Sequence, residues 1–265
     1  MAYAFTRHYM LLLVTLFVTS SLIAYEHDLA VCAIFQNEAR FLKEWIEFYK
    51  LIGVQKFYLY DHKSTDNYKE VLDPYIKSGE VKGQVQWLAI LDIDEFLFPV
   101  QHDSLLIALK DYESYAGVCV RWVMFGTSGV DIIPADKLMI ESLTMRHPKI
   151  DKQIKSIVQP DKIIALYTHT PEHVVPGFDM VYEDKTLLLS TDNIPSINIF
   201  RINHYWSRDK KFLHEVKIPR IEKNYFWIKE EKKAWVLQMT EWMNDQQDLA
   251  IQRFVGQLKK AMGFK

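Results

Sequence analysis

The start of the chain alternates between strand-like and helix-like patterns, and this alternation sets the fold class. Residues 29–35, LAVCAIF, form a short apolar run of strand-forming residues. The next segment, EARFLKEWIEFYKLIG, has apolar residues at helical spacing and ends at Gly53. A second strand pattern, VQKFYLYD, and a second helix over 66–75 follow. Because this order is β-α-β-α, we expect an α/β domain with a mostly parallel sheet flanked by helices.

The rest of the chain is consistent with one domain. Its 265 residues contain no internal repeat and no low-complexity linker. We predict a single domain over residues 26–265, with a charged helical cap that includes QQDLAIQRFVGQLKKAMG at its C-terminal end. The net charge of −2 provides no basic field that would hold nucleic acid.

The N-terminal residues have a different pattern. After Arg7, the run from Met10 to Ala24 carries no charge. It is short for a membrane span and suits the apolar region of a signal peptide. We therefore expect residues 1–25 to be a signal peptide or an uncleaved signal-anchor, and the sequence leaves both open. Either places the protein in the secretory pathway or on its membranes.

Three carboxylates interrupt the most apolar segment, WLAILDIDEFLFPV. A strand that ends at Asp92 brings Asp92, Asp94 and Glu95 to the carboxyl edge of a parallel sheet, where ligands bind. Buried carboxylates need a cation, a positively charged partner or water. A divalent metal ion meets this need, and Asp92 and Asp94 share one face of an extended segment. The alternative is a solvated strand end, since Asp-x-Asp alone is a weak motif.

Three segments together resemble glycosyltransferase family 92: AIFQNEARFLKEWIEFYKLIGVQKFYLYDHKSTDN, WLAILDIDEFLFP and INHYWSRDKKF. The resemblance extends over most of residues 28–220. It implies a GT-A-like fold and the transfer of a sugar, such as galactose, from a UDP-sugar to a hydroxyl of a glycan or glycoprotein acceptor. It also implies inversion at the sugar and dependence on Mn²⁺ or Mg²⁺.

The resemblance assigns donor-binding roles to two loops. Asn37, Glu38 and Arg40 match the loop after the first strand, which lies beside the nucleotide. Asp61 and Asp66 match the loop after the second strand, near uracil and ribose. Two of these residues have simpler alternatives: Arg40 in an ion pair on its helix, and Asn37 as a helix cap.

The resemblance also assigns the metal site. Asp92 and Asp94 match the metal-binding Asp-x-Asp, and Asp92 counts among the donor-binding residues as well. His204 or His169 is the candidate third protein ligand, with His204 in the better-matching context, NHYW. An imidazole ligand would shift the preference from Mg²⁺ toward Mn²⁺.

Inversion requires a general base that takes the proton of the acceptor hydroxyl. Glu95 and Asp131 are the candidates. Glu95 directly follows the metal motif and could instead hold the metal-binding residues in position without contacting the ion. Asp131 follows the GTSG turn, where an acceptor could approach.

The chain departs from the family near Val81 and Lys82, where a βα unit with a third strand and a long helix is expected. Loss of an edge strand would leave the central sheet intact and expose apolar surface. The competing hypothesis is therefore an inactive remnant that binds a nucleotide-sugar or glycan without turnover. A phosphatase of the haloacid-dehalogenase type is disfavoured, because its Asp-x-Asp-x-Thr/Val motif lies on the first strand and Glu95-Phe96 follows here.

Overall fold

A computed structural model of the chain describes residues 25–61, 63–77, 85–166, 169–189, 195–224 and 229–264. Over these residues the chain forms a central eight-stranded sheet with helices packed on it and a largely helical C-terminal region. This confirms the predicted α/β, GT-A-like fold class with its helical cap.

The central sheet has the strand order β2-β1-β3-β7-β5-β11-β4, and β10 pairs with β5. Two further pairs, β12 with β6 and β8 with β9, form separate two-stranded sheets. The strands of the described residues are β1 (His27–Phe35), β2 (Lys56–Asp61), β3 (Val85–Ile90), β4 (Glu95–Pro99), β5 (Gly117–Met124), β6 (Met145–Arg146), β7 (Ile154–Val158), β8 (Ile163–Leu166), β9 (Pro171–Val174), β10 (Met180–Tyr182), β11 (Phe200–His204) and β12 (Gln246–Gln247).

Strand direction brings several strand ends to one edge of this sheet. β1 is parallel to β2 and β3, and β5 is parallel to β10 and β11. β7 lies between β3 and β5 and is antiparallel to both, so β3 and β5 point the same way. The carboxyl ends of β1, β3, β5 and β11 and the start of β7 therefore meet at one edge.

The helices cover the sheet and build the C-terminal cap. α1 packs against both α2 and α8, which ties the first helix to the last one. The α-helices of the described residues are α1 (Ala39–Leu51), α2 (Tyr68–Lys77), α3 (Leu105–Leu109), α4 (Met139–Ser142), α5 (Lys210–Phe212), α6 (Ile218–Asn224), α7 (Lys229–Trp242) and α8 (Val255–Met262). A π-helical turn, Leu213–Lys217, joins α5 to α6.

α1 forms as the sequence predicts, because its apolar residues recur on one face. Phe41, Trp45 and Tyr49 are buried in the main core, and Gly53 has a φ of 104° just after the helix. Only glycine adopts this backbone conformation without strain, so the helix stops there.

The predicted start of each of the first two helices is wrong in detail. Asn37 does not cap α1: the Oδ2 atom of Asp66 accepts a hydrogen bond from Ala39 N at 2.8 Å. α2 accordingly begins at Tyr68 and not at Asp66. Asn37 has a φ of 56°, and its Oδ1 accepts from Thr65 N at 2.7 Å. The two loops are thus joined to each other by side chains, which local sequence patterns do not reveal.

The strand predicted from INIFRINHYW also differs from expectation. Its polar–apolar alternation predicts one exposed face, yet all five residues of β11 are buried. The polar residues on that face have partners: Arg201 NH2 lies 3.0 Å from Asp248 Oδ2, and Arg201 Nε donates to Asn203 Oδ1 at 2.9 Å. Buried polar residues with partners give the same pattern as exposed ones.

The sheet is continuous across the position of the expected missing segment. β3 pairs directly with β1, from His27 opposite Val85 to Cys32 opposite Ile90, and α2 lies in the crossover from β2. In a doubly wound sheet with strand order 3-2-1-4, the absent strand would lie outside β2. Tyr60 on β2 and Ile76 on α2 are each 59% exposed. Residues 78–84, where the break is predicted, lie outside the described residues.

None of the helices in the described ranges has the length and apolar character needed to cross a membrane. The signal-peptide or signal-anchor prediction concerns residues 1–24, which lie outside those ranges, and Tyr25.

Candidate functional site

A cleft of about 850 Å³ opens at the shared edge of the sheet. It is lined by residues from the ends of β1, β3, β5 and β11, from the loop before β7, and from α6 and α7. The polar and aromatic residues that line it include Glu38, Asp92, Asp94, Trp122, Asp151, His169, His204, Trp206, Lys217, Arg220, Lys232 and Trp235. Of the sequence-predicted site residues, the cleft therefore brings together Glu38, Asp92, Asp94, His169 and His204.

Asp92 follows β3 and is held from behind by a lysine. Lys155 Nζ, on β7, donates to Asp92 Oδ2 at 2.9 Å. Lys155 is 1% exposed and the Asp92 side chain is 39% exposed, so the carboxylate faces the cleft. Trp45 Nε1 donates to Asp92 O at 3.1 Å, which anchors the turn to α1.

Glu95 begins β4 and is fully buried behind this turn. Its Oε2 accepts from Asp92 N at 2.9 Å and lies 3.7 Å from Lys155 Nζ. Burial raises the pKa of the Glu95 carboxyl well above its ordinary value, and nearby Asp92 raises it further. Glu95 thus supports the Asp92 turn from the protein interior and offers no contact to a molecule in the cleft.

Asp94 is the centre of a buried ion cluster. Arg208 NH1 donates to Asp94 Oδ2 at 3.2 Å, and Arg208 NH2 donates to Glu38 Oε2 at 2.6 Å. Lys217 Nζ lies 3.5 Å from the same Asp94 oxygen. Burial raises the pKa of Asp94, but Arg208, Lys217 and His204 outweigh burial and hold that pKa well below its ordinary value. Asp94 is therefore a carboxylate at neutral pH.

His204 ends β11 and faces both acidic side chains of the turn. Its Nε2 lies 3.5 Å from Asp94 Oδ1, and its Nδ1 lies 4.0 Å from Glu95 Oε1. Both Nδ1 and Glu95 Oε1 are buried without a hydrogen-bond partner among the described residues. Each ring nitrogen of His204 thus faces a carboxyl group, and Glu95, beside Nδ1, lies where a carboxyl group can orient a metal-ligating histidine.

His169 lines the same cleft and packs against the same Trp122 ring as His204. The Trp122 ring is 4.4 Å from the His204 ring and 5.5 Å from the His169 ring. His169 Nδ1 lies 2.9 Å from Ile154 O, and because a carbonyl oxygen only accepts, Nδ1 carries a proton. Of the two candidates for the third metal ligand, His204 is the one that lies beside Asp94.

The donor types fit a divalent ion of the Mn²⁺ kind: two carboxylates and an imidazole on one cleft. In this structure these three side chains are not close enough to one another to bind one ion. Within the described ranges, no group of three or more His, Cys, Asp or Glu residues could hold a metal ion. Lys155, Arg208 and Lys217 are the positively charged partners that the sequence argument left open.

The remaining sequence-predicted residues lie outside the cleft lining. Asp61 Oδ1 accepts from Ser64 N at 2.9 Å, in the loop after β2 that also holds Asp66. That loop is tied to Asn37 beside the cleft, since Asn37 N donates to Ser64 Oγ at 3.0 Å.

Arg40 and Asp131 form ion pairs elsewhere. Arg40 NH2 pairs with buried Asp209 at 2.6 Å and lines a second pocket of about 760 Å³. An ion pair is therefore present, but its partner lies 169 residues away and not on the helix of Arg40, as the simpler alternative had it. The Asp131 side chain is 84% exposed and pairs with Lys210 at 2.8 Å.

Three residues in the cleft lining or directly behind it were not predicted from the sequence: Asp151 in the lining, and the buried Lys155 and Arg208 behind it. Lys155 could have been found as a lone charge inside the apolar run IKSIV, and Arg208 within the quoted segment INHYWSRDKKF. No local sequence pattern points to Asp151. In the structure its N donates to Trp122 O at 3.0 Å, and its Oδ1 accepts from Gln153 N at 2.8 Å. Only the tertiary fold brings these residues to one place.

Comparison with known proteins assigns the chain to a family. The sequence model of glycosyltransferase family 92 matches residues 27–85 and 80–233. These two ranges overlap at residues 80–85, where the missing segment is predicted. Family 92 proteins of Ricinus communis and of Oryza sativa subsp. japonica are 26% identical over 208 residues and 31% identical over 163 residues. A family 92 protein of Arabidopsis thaliana is 24% identical over 182 residues.

These alignments cover 68%, 52% and 56% of this chain. They cover 35%, 28% and 31% of the respective relatives, so the chain spans about a third of the length of the curated relatives it matches. Because the family match includes the whole sheet edge and the cleft residues of β1, β3, β5, β7 and β11, the chain belongs to glycosyltransferase family 92.

Proposed function

We propose that this chain transfers a sugar from a UDP-sugar to a hydroxyl of a glycan or glycoprotein acceptor, with inversion. The observation that carries the proposal is the cleft at the carboxyl edge of the sheet, where Asp92, Asp94 and His204 stand beside Lys217 and Arg220. A nucleoside diphosphate is a dianionic to trianionic leaving group, and a divalent ion with nearby cations suits it. Family membership supports glycosyl transfer in general.

Asp92, Asp94 and His204 would hold the metal ion, Mn²⁺ or Mg²⁺. When bound, the ion supplies Lewis-acid stabilisation of the departing diphosphate. Asp94 offers Oδ1, because Arg208 and Lys217 take Oδ2. Lys155 takes Oδ2 of Asp92 in the same way. The protein cations thus orient both carboxylates.

The three cleft tryptophans provide flat surfaces for a sugar or a base. Trp122, Trp206 and Trp235 line the cleft, and Trp235 is 46% exposed. Aromatic rings that face solvent in a polar cleft commonly stack on ligand rings. We propose that they hold the donor sugar or the uracil ring.

We propose Asp151 as the general base. Glu95, one sequence-based candidate, is buried behind the Asp92 turn, and Asp131, the other, lies outside the cleft. Asp151 is half-buried in the cleft lining, and the hydrogen bond from Gln153 N holds Oδ1 in place. Replacement of a general base typically lowers the rate about 10²–10⁴-fold.

The test is release of UDP by the full chain from a panel of UDP-sugars, with glycan acceptors and Mn²⁺. We expect turnover with at least one donor, loss of turnover in Asp92→Ala/Asp94→Ala, and a fall of about 10²-fold or more in Asp151→Asn. Asp103→Ala is the matched control, since the Asp103 side chain is 93% exposed and does not line the cleft. Turnover that survives the double replacement would contradict the proposal.

A second candidate function is binding without turnover. It is favoured by the division of the family match into the ranges 27–85 and 80–233, as expected if a segment is absent between them. A chain of this kind would bind UDP in a metal-dependent way and release none from any UDP-sugar. Measuring binding and turnover on the same preparation separates the two.

A further inference from the structure

The second pocket, of about 760 Å³, lies outside the cleft and has no part in the proposed sugar transfer. Its volume is within the range of about 300–1,000 Å³ that is usual for small-molecule sites. Its walls come from the first half of α1, the loop between β5 and α4, the start of α4, α5 and the residues at the end of α8. Among the described residues, none lines both this pocket and the cleft.

Asp209 holds three walls of this pocket together. Its Oδ2 accepts from Arg40 NH2 at 2.6 Å and from Ile133 N at 2.9 Å, and its Oδ1 accepts from Phe212 N at 2.9 Å. These bonds join α1, the loop after β5 and α5. Because the Asp209 side chain is fully buried, water does not compete for them. The pocket is therefore a fixed feature of the fold, as binding sites for small molecules usually are.

Three cations line the pocket: Arg40, Lys137 and Lys211. The Arg40 side chain is 42% exposed, and among the described residues only its NH2 has hydrogen-bond partners, Asp209 and the carbonyl oxygen of Ile133. Its NH1 and Nε are thus left to a ligand. Lys137 and Lys211 are exposed, and neither has an ion-pair partner within the described part of the chain.

Carboxyl groups do not balance these cations. In the described lining the one carboxyl group is that of Glu44, whose oxygens accept from Met139 N and Ile140 N. Burial raises the pKa of Glu44 to about 7, so it is partly protonated at neutral pH. Asp209 neutralises one of the three cations. At least one positive charge of the pocket is therefore left without a carboxylate.

The surface between the cations is apolar. Phe41, Ile133, Leu138 and Met139 are buried residues of the lining, and Phe264 is a partly buried one. A bare inorganic anion would pair with the cations but leave this apolar surface in water. A neutral apolar molecule would cover the surface but leave the charges unused. The lining thus suits a molecule that has both an apolar body and an anionic group.

We propose that this pocket binds a small organic anion, in which an apolar body carries one carboxylate or sulfonate-type group. The body packs on the apolar walls, and the anionic group pairs with Arg40, Lys137 and Lys211. The guanidinium of Arg40 accepts such a group through its fixed fork of N–H donors. The proposal concerns a site separate from the cleft, and it stands or falls independently of the sugar transfer.

The test is fluorescence titration of the full chain with 8-anilinonaphthalene-1-sulfonate and with N-phenyl-1-naphthylamine, which has the same ring system without the sulfonate. We expect saturable binding of the sulfonate. The variant Lys137→Met/Lys211→Met should weaken it about fivefold or more and change binding of the neutral compound by less than about twofold. Lys210→Met is the matched control, because Lys210 is adjacent to Lys211 but pairs with Asp131 and does not line the pocket.

Ala135→Trp is the second variant, and it decides the question if the double lysine variant fails to fold. Ala135 is an exposed residue of the lining, so an indole there should fill the pocket and weaken binding of both compounds. Lys232→Met removes a cation from the cleft lining and should change neither affinity. Near-UV circular dichroism shows that each variant is folded, since loosely packed states also bind the sulfonate.

Three results would overturn the proposal. The first is absence of saturable sulfonate binding by the folded wild type. The second is sulfonate affinity in the folded pocket variants equal to that of the wild type or of Lys210→Met. The third is loss of sulfonate binding in Lys232→Met, which would place the sulfonate in the cleft. None of these results bears on UDP binding or turnover, so the proposed function is tested separately.

Discussion

Arg208 is the residue on which the buried charges of the cleft depend most. It is 1% exposed, and its two terminal nitrogens bind Glu38 at 2.6 Å and Asp94 at 3.2 Å. Its guanidinium also lies over the Phe41 and Phe212 rings, at 4.7 and 4.4 Å from their centroids. One side chain thus joins the loop after β1, the Asp-x-Asp turn and the helices of the cap.

We predict that Arg208→Met destabilises the fold strongly, because it leaves Glu38 and Asp94 buried without their main partner. Removal of one member of a buried ion pair costs about 3–5 kcal/mol. Urea unfolding of the folded variant measures the loss. Lys210→Met is the control: its partner Asp131 is 84% exposed, so the expected loss is at most about 1 kcal/mol. Equal losses in the two variants would contradict the buried cluster.

Glu44 gives a prediction about pH. Its carboxyl is fully buried, and its oxygens accept from Met139 N at 2.8 Å and Ile140 N at 3.0 Å. Burial outweighs these two hydrogen bonds and raises its pKa from 4.5 to about 7. Between these values the folded protein binds more protons at this site than the unfolded chain, so the free energy of unfolding falls as pH rises.

We therefore expect Glu44→Gln to lose less stability than the wild type between pH 4.5 and pH 7, since an amide does not titrate there. The free energy of unfolding of the variant, relative to that of the wild type, therefore rises by up to about 1.4 kcal/mol per pH unit. Urea unfolding of both proteins across this range measures it. A difference that is constant with pH would show that Glu44 is ionised throughout.

At the scale of elements, the loops after β1 and β2 act as one unit. Asp66 Oδ2 caps α1 through Ala39 N, Asn37 Oδ1 accepts from Thr65 N, and Asn37 N donates to Ser64 Oγ. These contacts hold the N-terminus of α1 beside the cleft, next to Glu38. The local patterns predict both strands and both helices, but they assign each cap to the residue just before its helix.

We predict that Asp66→Ala lowers the free energy of unfolding by about 0.5–2 kcal/mol, the usual effect of losing a helix cap. Asp73→Ala is the matched control, because Asp73 pairs with Lys77 on the exposed face of α2 and such pairs contribute about 0.3–0.5 kcal/mol. Thermal or urea unfolding of the two variants compares them. An Asp66 effect no larger than that of Asp73 would exclude the cap.

Contacts between elements are the part of the structure that the local sequence patterns do not predict. The strand that precedes Asp92 and the amphipathic α1 follow from residues close together in the chain. The partners of the carboxylates do not: Lys155 is 63 residues from Asp92, and Arg208 is 114 residues from Asp94. Their pairing depends on the order and register of the sheet, which no local pattern contains. For the same reason Asp151, which we propose as the general base, follows from no local pattern, whereas Glu95 and Asp131 do.

At the scale of the whole molecule, the strand β2 at the edge of the sheet contributes no residue to the cleft lining. The lining comes from the ends of β1, β3, β5, β7 and β11 and from the cap, while β2 is joined to the sheet through β1 alone within the described residues. A strand lost beyond β2 would therefore change the edge and its exposed residues, Tyr60 and Ile76, without removing a wall of the cleft.

We predict that a family-type βα segment inserted between Val81 and Lys82 leaves UDP affinity within about twofold of the wild type, which is below 0.5 kcal/mol. Calorimetry on the chain with and without the insertion measures this. UDP binding that appears only after insertion would show that the gap damages the donor site.

The central claim is that the Asp92 turn, Asp94 and His204 form a metal-dependent donor site. Its most direct test is calorimetric titration of UDP into the full chain, with and without Mn²⁺, beside the Asp92→Ala/Asp94→Ala variant. The account predicts saturable UDP binding that requires Mn²⁺ and is absent from the folded variant. UDP binding that is equal with and without Mn²⁺, or equal in the variant, would contradict it.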